Sequence, residues 1–437
     1  YIIERIYLMK LNISNFAKID NADIIIDGIT VIAGENNTGK STIGKILFSI
    51  FNSLYDINEQ IQGQRISEIN ANNRKIIQNH INVQMDFKTY RQYTLYVERY
   101  VNNIIFNNET FNKDEIAAEL NEQFKEKNNS IFDDYDIMLE EIADNIIRVM
   151  NISNDVIRKE IISRYFNSVF NRQINSLSSD RDINLADIDL QIKDKHNKLS
   201  FSNNECNDFL GEINILHKAV YIDNPFIIDE LSKYQDLNII NETLKALLLN
   251  KKNDIFDGVI GAVMAKEKIN DIMILLRKVV DGDITNDQMT GEFYLQLNGY
   301  NEPVALSNLS TGMKSFVILK MLLEKGSLSE KDVVILDEPE IHLHPQWQIA
   351  YAELLVLLQK QFDLSVVVTT HSPYFVDAIN LFSCKYATDS SVNYYISSVD
   401  NNRVNMKNVT DNIEEIYKKM VSPIEALDTL RYELNNG

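Results

Sequence analysis

Leu306-Ser307-Asn308-Leu309-Ser310-Thr311-Gly312-Met313-Lys314-Ser315 opens the stretch that decides the fold, and His371 closes it. After a helical run it continues Val333-Val334-Ile335-Leu336-Asp337-Glu338-Pro339-Glu340 and Ile341-His342-Leu343-His344-Pro345. Further on comes Ser365-Val366-Val367-Val368-Thr369-Thr370, capped by His371-Ser372-Pro373. The two apolar runs read as buried strands. An apolar strand ending in Asp-Glu has one strong chemical use: the first carboxylate holds Mg²⁺ and the second takes a proton from an attacking water. Asp337 is therefore the candidate metal ligand and Glu338 the candidate base. Such a pair requires a phosphate cradle, and upstream lies Gly34-Glu35-Asn36-Asn37-Thr38-Gly39-Lys40-Ser41, a full G-x-x-x-x-G-K-S match.

The segment around that match has the right local context. Ile29-Thr30-Val31-Ile32-Ala33 reads as a strand running into Gly34, and Ile43, Ile46, Leu47, Ile50 and Phe51 recur at helical spacing after it. Backbone N–H groups at the helix start bind phosphate, and Gly34 and Gly39 let the chain curl where a Cβ would clash. Lys40 reaches the β/γ oxygens, and Ser41 joins Asp337 as a Mg²⁺ ligand. The candidate nucleotide-binding set is Gly34, Asn36, Asn37, Thr38, Gly39, Lys40, Ser41 and Thr42, with ATP and Mg²⁺ as the expected cofactors.

The 437 residues allow two or three structural units, or one large core with insertions, and the 45% hydrophobic and 24% charged content is that of a globular chain. The net charge of −20 argues against holding nucleic acid by bulk electrostatics. Arg74-Lys75, Lys251-Lys252 and Lys418-Lys419 read as solvated faces. Two cysteines, Cys206 and Cys384, do not make a disulfide framework, and no apolar run is of membrane-spanning length, so a cytoplasmic, reducing compartment is expected.

In chain order, strands are expected at 4–12, 20–26 and 29–33. A β-hairpin about Lys88–Gln92 is expected from the alternation of Ile81, Val83, Met85 and Phe87 with Tyr93, Leu95 and Val97. Residues 99–187 read as a compact helical insertion without sustained heptads. A hairpin follows at 188–193 and 197–202, then a buried strand at Ala219-Val220-Tyr221-Ile222. Residues 226–290 form a helical lobe, and Asn298-Gly299 is a hairpin turn. The expected organisation is an N-terminal lobe of 1–98 and 188–225, insertion 99–187, helical lobe 226–290, a lobe of 291–400 carrying Asp337, Glu338 and His371, and a C-terminal hairpin end and helices over 401–437.

The order of these motifs resembles the ATP-binding-cassette ATPases of the SMC, RecF and OLD branch. The resemblance is carried by residues 1–54 and 290–380, and within the branch Asp337-Glu338-Pro339-Glu340 with Leu343-His344-Pro345 and Thr369-Thr370-His371-Ser372-Pro373 is most similar to prokaryotic OLD-like ATPases. It implies an α/β fold, a P-loop NTPase of the ABC type, with a mixed sheet, an antiparallel β lobe and helical insertions. It also implies that Gly34–Ser41 is the Walker A loop and that Asp337 and Glu338 are Walker B. His371 becomes the histidine that senses the γ-phosphate. Ser310 and Gly312 become the signature residues, acting in trans on ATP held by an opposing protomer. Many OLD-like ATPases serve anti-phage systems beside a separate effector, as the Septu and retron-associated subunits do.

The expected function is thus an ATPase that dimerises head-to-tail around Mg-ATP and controls a nuclease or toxin. The alternatives are an SMC/RecF-like DNA-repair ATPase and an ATP-locked scaffold with little turnover. OLD nucleases carry a Toprim domain after the ATPase, and the roughly sixty residues beyond His371 leave no space for one, so intrinsic nuclease activity is not expected. Asn15-Phe16 is followed by Ala17-Lys18 where the family often has Arg, and Asn224 stands where a glutamine loop belongs. The histidines 342, 344 and 371 do not read as a metal cluster. Trp347 and Tyr351 read as packing residues, Phe16 as core or adenine contact, and Glu340 as a loop salt bridge.

The charge balance carries a prediction. In a low-salt gel shift the chain forms no tight complex with duplex DNA. Tight binding that weakens steeply with added salt would instead favour the DNA-repair alternative.

Overall fold

The computed structural model describes residues 9–81, 87–107, 112–124, 132, 134–175, 185–233, 236–249, 269–287, 289–401 and 403–436. The chain divides into two compact units, one of Tyr1–Tyr55 with Ile162–Gly437 and the other of Asp56–Ile161.

The first unit is built on an eleven-stranded sheet. Its strands are β1 (Met9–Phe16), β2 (Ile19–Ile25), β3 (Ile29–Gly34), β4 (Ala186–Ile192), β5 (Lys195–Ser202), β6 (Glu205–Gly211), β7 (Ala219–Ile222), β11 (Val333–Asp337), β12 (Ser365–Thr370), β13 (Val392–Asp400) and β14 (Arg403–Asn408). The spatial order is β6-β5-β4-β1-β2-β14-β13-β3-β12-β11-β7. From β13 to β7 the neighbours are parallel, whereas β1, β2, β4, β5 and β6 form an antiparallel lobe. This is the expected mixed sheet with an antiparallel lobe. A separate three-stranded sheet holds β8 (Gly282–Asn286), β9 (Phe293–Leu297) and β10 (Val304–Ala305), the last two joined through the predicted Asn298-Gly299 turn.

Strand parity explains why the central strands are apolar throughout. Val333 and Ile335 of β11 enter one core with helix α1 (Lys40–Leu54), while Val334 and Leu336 enter another. That second core contains α8 (Thr311–Glu324) and α9 (Pro345–Phe362). A parallel sheet covered on both faces needs such unbroken runs. Parity then places polar ends as well. Asp337 continues the Val333–Ile335 side, as Thr369 continues Val367 on β12 and Tyr221 continues Ala219 on β7.

The second unit is helical, with α2 (Ile57–Asn79), α3 (Phe87–Asn107), α4 (Lys113–Phe124) and α5 (Tyr135–Met150) around a core of Ile69, Tyr93, Val97, Val101, Leu120 and Ile142. The predicted hairpin about Lys88–Gln92 is absent; helix α3 runs through it, and Val83 and Met85 lie outside the described residues. Tyr93 and Val97 satisfy a period of two and also an i, i+4 step. The continuation Tyr100, Val101, Ile104 is buried and helical, and Leu95 is 40% exposed. The insertion therefore spans 56–161 rather than 99–187, and its end falls inside α6 (Asn154–Phe170). Of the strand expected at 4–12, residues 4–8 lie outside the described residues and β1 occupies 9–16, while the segment expected to be wholly helical, 226–290, ends in β8. After α7 (Ile239–Leu248), Leu248, Ile272 and Leu276 are core. The last two helices are α10 (Pro373–Lys385) and α11 (Glu414–Asn436). Among the described residues no helix is long and apolar enough to cross a membrane.

Two glycines make opposite predictions. A Cβ on Gly44 of α1 would lie 2.7 Å from Ile335 Cγ2 and 3.1 Å from Tyr221, whereas one on Gly63 of α2 would meet nothing within 4 Å. Gly44→Val should destabilise by about 1–3 kcal/mol through overpacking. Gly63→Ala should stabilise by about 0.5–1 kcal/mol through backbone entropy. Urea midpoints check both, and shifts of the same sign would contradict the packing described.

Candidate functional site

The ends of β3, β11 and β12 and the start of α1 bring the predicted loop and carboxylates together. Gly34 is pressed against β13, where a Cβ would fall 2.0 Å from Ser397 Oγ, so the close approach admits only glycine. Gly39 caps α1 in the left-handed region at φ 77°, and Asn37 is also left-handed at φ 63°. The Thr38 hydroxyl donates to the Glu35 carbonyl at 2.7 Å and lies 2.5 Å from Ser397 Oγ. These contacts shape the cradle.

Asp337 is held by hydroxyl groups. Ser41 Oγ donates to its Oδ1 at 2.9 Å, Tyr221 donates to Oδ2 at 2.7 Å, and Thr369 Oγ1 donates to Oδ1. Burial, with Asp337 beside it, raises the Tyr221 phenol well above its ordinary range, so it stays a neutral donor. Three donors from three elements fix the position and orientation of the carboxylate. A carboxylate and a serine hydroxyl at this separation are the hard oxygen donors that Mg²⁺ takes, the rest of its shell being left to water and phosphate.

Glu338 leaves the strand at φ 51° while its N–H still bonds to the Thr369 carbonyl at 3.1 Å. Its Oε1 sits 2.8 Å from His371 Nε2, and Lys40 Nζ is also 2.8 Å from that same nitrogen. Lys40 further donates to the Glu35 carbonyl at 2.8 Å and lies 3.9 Å from Glu338. Burial lowers the Lys40 pKa, opposed by Glu338, Asp337 and Glu340. In the neutral ring, Nε2 either accepts from Lys40 or donates to Glu338, so the tautomer of His371 selects one partner.

Glu340 is not a loop salt bridge. It is 5% exposed, and its Oε1 accepts from the His371 N–H at 2.7 Å and from Thr370 Oγ1 at 2.6 Å, while its buried Oε2 has no hydrogen-bond partner among the described residues. Burial raises its pKa. The parity of β12 is the signal that reveals it: Thr369 faces Asp337 and Thr370 faces Glu340.

A cavity of about 360 Å³ adjoins the cradle, lined by Asn37, Thr38, Gly39, Lys40, Ser41, Thr42 and Glu338, with Ala17, Lys18, Val169 and Phe170 on its other walls. Asn36 is exposed and is not on that wall. The α6 residues were not legible in sequence, since they come from far along the chain. Phe16 is core, packed edge-on against Phe170 at 4.9 Å. Lys18 donates to Asn37 Oδ1 at 2.9 Å.

Ser310 and Gly312, the residues expected to form the signature, sit elsewhere. Ser310 is exposed and caps α8 by accepting from the Met313 N–H at 3.4 Å. Gly312 is buried, and a Cβ there would approach Trp347 at 2.9 Å and the His342 carbonyl at 3.0 Å. Neither lines the cavity beside the phosphate loop. The three histidines have separate duties: His344 caps α9, and His342 meets Phe226 edge-on at 5.9 Å. Asn224 caps the turn after β7 through the Phe226 N–H. Trp347 and Tyr351 pack edge-on against Phe316, as expected of core.

The model of the family described as "AAA domain, putative AbiEii toxin, Type IV TA system" matches residues 29–377. An OLD nuclease of Thermus scotoductus is 30% identical over 116 residues, covering 25% of this chain and 21% of that protein. The retron Ec83 probable ATPase of Escherichia coli is 28% identical over 185 residues, covering 35% of this chain and 33% of that one. The chain thus matches a third or less of the length of these relatives. Among solved structures, the SMC head domain from Thermotoga maritima aligns with 92% of this chain and 98% of its own, at TM-score 0.39 and 11% identity. An SMC head bound to the C-terminal winged-helix domain of ScpA gives 0.44 and 11%, over 92% and 97%.

Glu340 supplies the test of this geometry. Because its folded pKa is raised, the native state holds the proton more tightly, and the stability this contributes at low pH is lost as pH rises through the folded value. Glu340→Gln keeps an acceptor for His371 and removes that dependence, so parent and variant should diverge in the variant's favour as pH rises. Glu340→Leu should cost about 1–3 kcal/mol by orphaning buried donors. Urea midpoints across pH that run parallel for parent and Glu340→Gln would contradict the assignment.

Proposed function

The chain belongs to this AAA-domain family, whose model spans residues 29–377, and on that premise we propose that it binds Mg-ATP and hydrolyses it to ADP and phosphate. The observation that carries the reading is the convergence of Lys40, Glu338 and His371 within 4 Å beside an Asp337 fixed by three hydroxyls. Bound Mg-ATP supplies the γ-phosphoryl group and the divalent charge that neutralises it. Lys40 and the backbone N–H groups of Gly34–Ser41 bind the phosphates. Ser41 and Asp337 hold the cation. Glu338 takes the proton of a water, and His371, oriented by Glu340 through its N–H, contacts the terminal phosphate.

The reading extends to a head-to-tail homodimer. Ser310 places an exposed helix N-terminus outside the cavity of its own phosphate loop, with Phe226 and Ile341 exposed at 44% and 60% near the His342 segment that covers Gly312. Such a surface suits a second copy whose ATP completes the anion site. The similarity to a retron ATPase and an OLD nuclease supports control of a separate effector, a nuclease or toxin, in bacterial anti-phage defence.

Glu338→Gln tests both layers. It should retain Mg-ATP without turnover and accumulate as an ATP-dependent dimer in light scattering. Adding Ser310→Asp keeps the helix cap, since Asp caps about as well as Ser, yet sets a negative charge against the incoming phosphate. The double variant should bind ATP as a monomer. Parental turnover in Glu338→Gln would move the base elsewhere, and a persistent dimer in the double variant would remove the trans role of Ser310.

A further inference from the structure

Lys419 reads in sequence as part of a solvated Lys418-Lys419 pair, but the fold brings it behind the phosphate loop. It lies on α11, whose first turns are anchored by fully buried Ile416 and by Tyr417, which donates to Asp377 at 3.2 Å. Lys419 Nζ donates to the Ser397 carbonyl at 3.0 Å. Ser397 is the β13 residue paired with Gly34, and its hydroxyl bonds to the Ala33 carbonyl at 3.2 Å and to Thr38 at 2.5 Å. One side chain therefore joins α11 to both limbs of the cradle. A cavity of about 220 Å³ lies here, lined by Gly34, Glu35, His371, Ile416, Lys419 and Met420. The charge of Lys419 is felt at Lys40, whose ammonium it disfavours.

We propose that Lys419 is a positioning residue of the nucleotide site, and that α11 reports whether the loop holds a triphosphate. This rests on the ATP reading above. A γ-phosphate adds negative charge near an ammonium that shares a cavity with Gly34, Glu35 and His371, and that cavity leaves space for the helix to draw in. ADP lacks that charge and pulls less. Beyond its anchored first turns α11 continues to Asn436 with Leu427, Tyr432 and Leu434 exposed. Pro423, four residues past Lys419, has no N–H to donate to the Lys419 carbonyl, so a shift at Lys419 is expected to turn the helix beyond that joint.

The test uses the full chain with Cys384→Ser, since Cys384 is exposed and Cys206 buried, and a fluorophore on Leu434→Cys. Calorimetry gives Mg-ATP and Mg-ADP affinities. In the parent the label should respond to Mg-ATP more than to Mg-ADP. Lys419→Met should weaken Mg-ATP about three- to tenfold, as for one partly exposed charged contact, leave Mg-ADP nearly unchanged and abolish the label response at saturating ATP. Lys419→Arg should restore most of both effects, and Lys419→Gln serves if the methionine variant loses its parental Tm. If the parent binds Mg-ATP but the label is silent, or if Lys419→Met matches the parent in affinity and response, the inference is overturned and the ATP reading stands. A parent that binds no Mg-ATP brings down the reading itself.

Discussion

The Asp337 carboxylate is the point on which the architecture depends. Three hydroxyls reach it from three elements: Ser41 from α1, Tyr221 from β7 and Thr369 from β12. The carboxylate is half-buried, and these hydrogen bonds replace the water it loses and fix its orientation. The arrangement requires β7, β11 and β12 to be parallel and in register, so that residues of one parity end at one height. It also requires α1 to lie close on the sheet, which Gly44 permits.

Around this fixed carboxylate the other charged groups are set against one another. Lys40 is 4% exposed, and a lone buried ammonium is costly; Glu35 and His371 supply acceptors, and Glu338 supplies opposite charge. His371 is the shared element, because a single nitrogen faces both Lys40 and Glu338. In the proposed function, a phosphate that draws Lys40 away leaves that nitrogen to Glu338. Occupancy of the cradle and orientation of the base are then one event, with Glu340 holding the histidine's backbone throughout.

Much of this was legible in the sequence, because the phosphate loop and the Asp337-Glu338 strand are contiguous and each residue type has a local reason to be there. Strand assignments held where apolar runs were continuous, as at Val333–Leu336. They failed at Tyr93–Val97, where two residues fit both periods and the buried continuation to Ile104 had to decide. What could not be read were partners distant in sequence: Tyr221 and Thr369 on Asp337, Phe170 beside the cradle, and Lys419 on Ser397. Those follow from strand order and from where helices return, and no spacing along the chain encodes either.

The central claim is that Lys40 and Asp337 belong to one phosphate-binding centre. Calorimetric titration of Mg-ATP into the parent and into Lys40→Ala, with the variant's Tm shown to match, tests it most directly. The account predicts tight, Mg²⁺-dependent binding in the parent and its loss in the variant, because the phosphates lose their main buried cation. Equal affinity in a folded Lys40→Ala protein would contradict it.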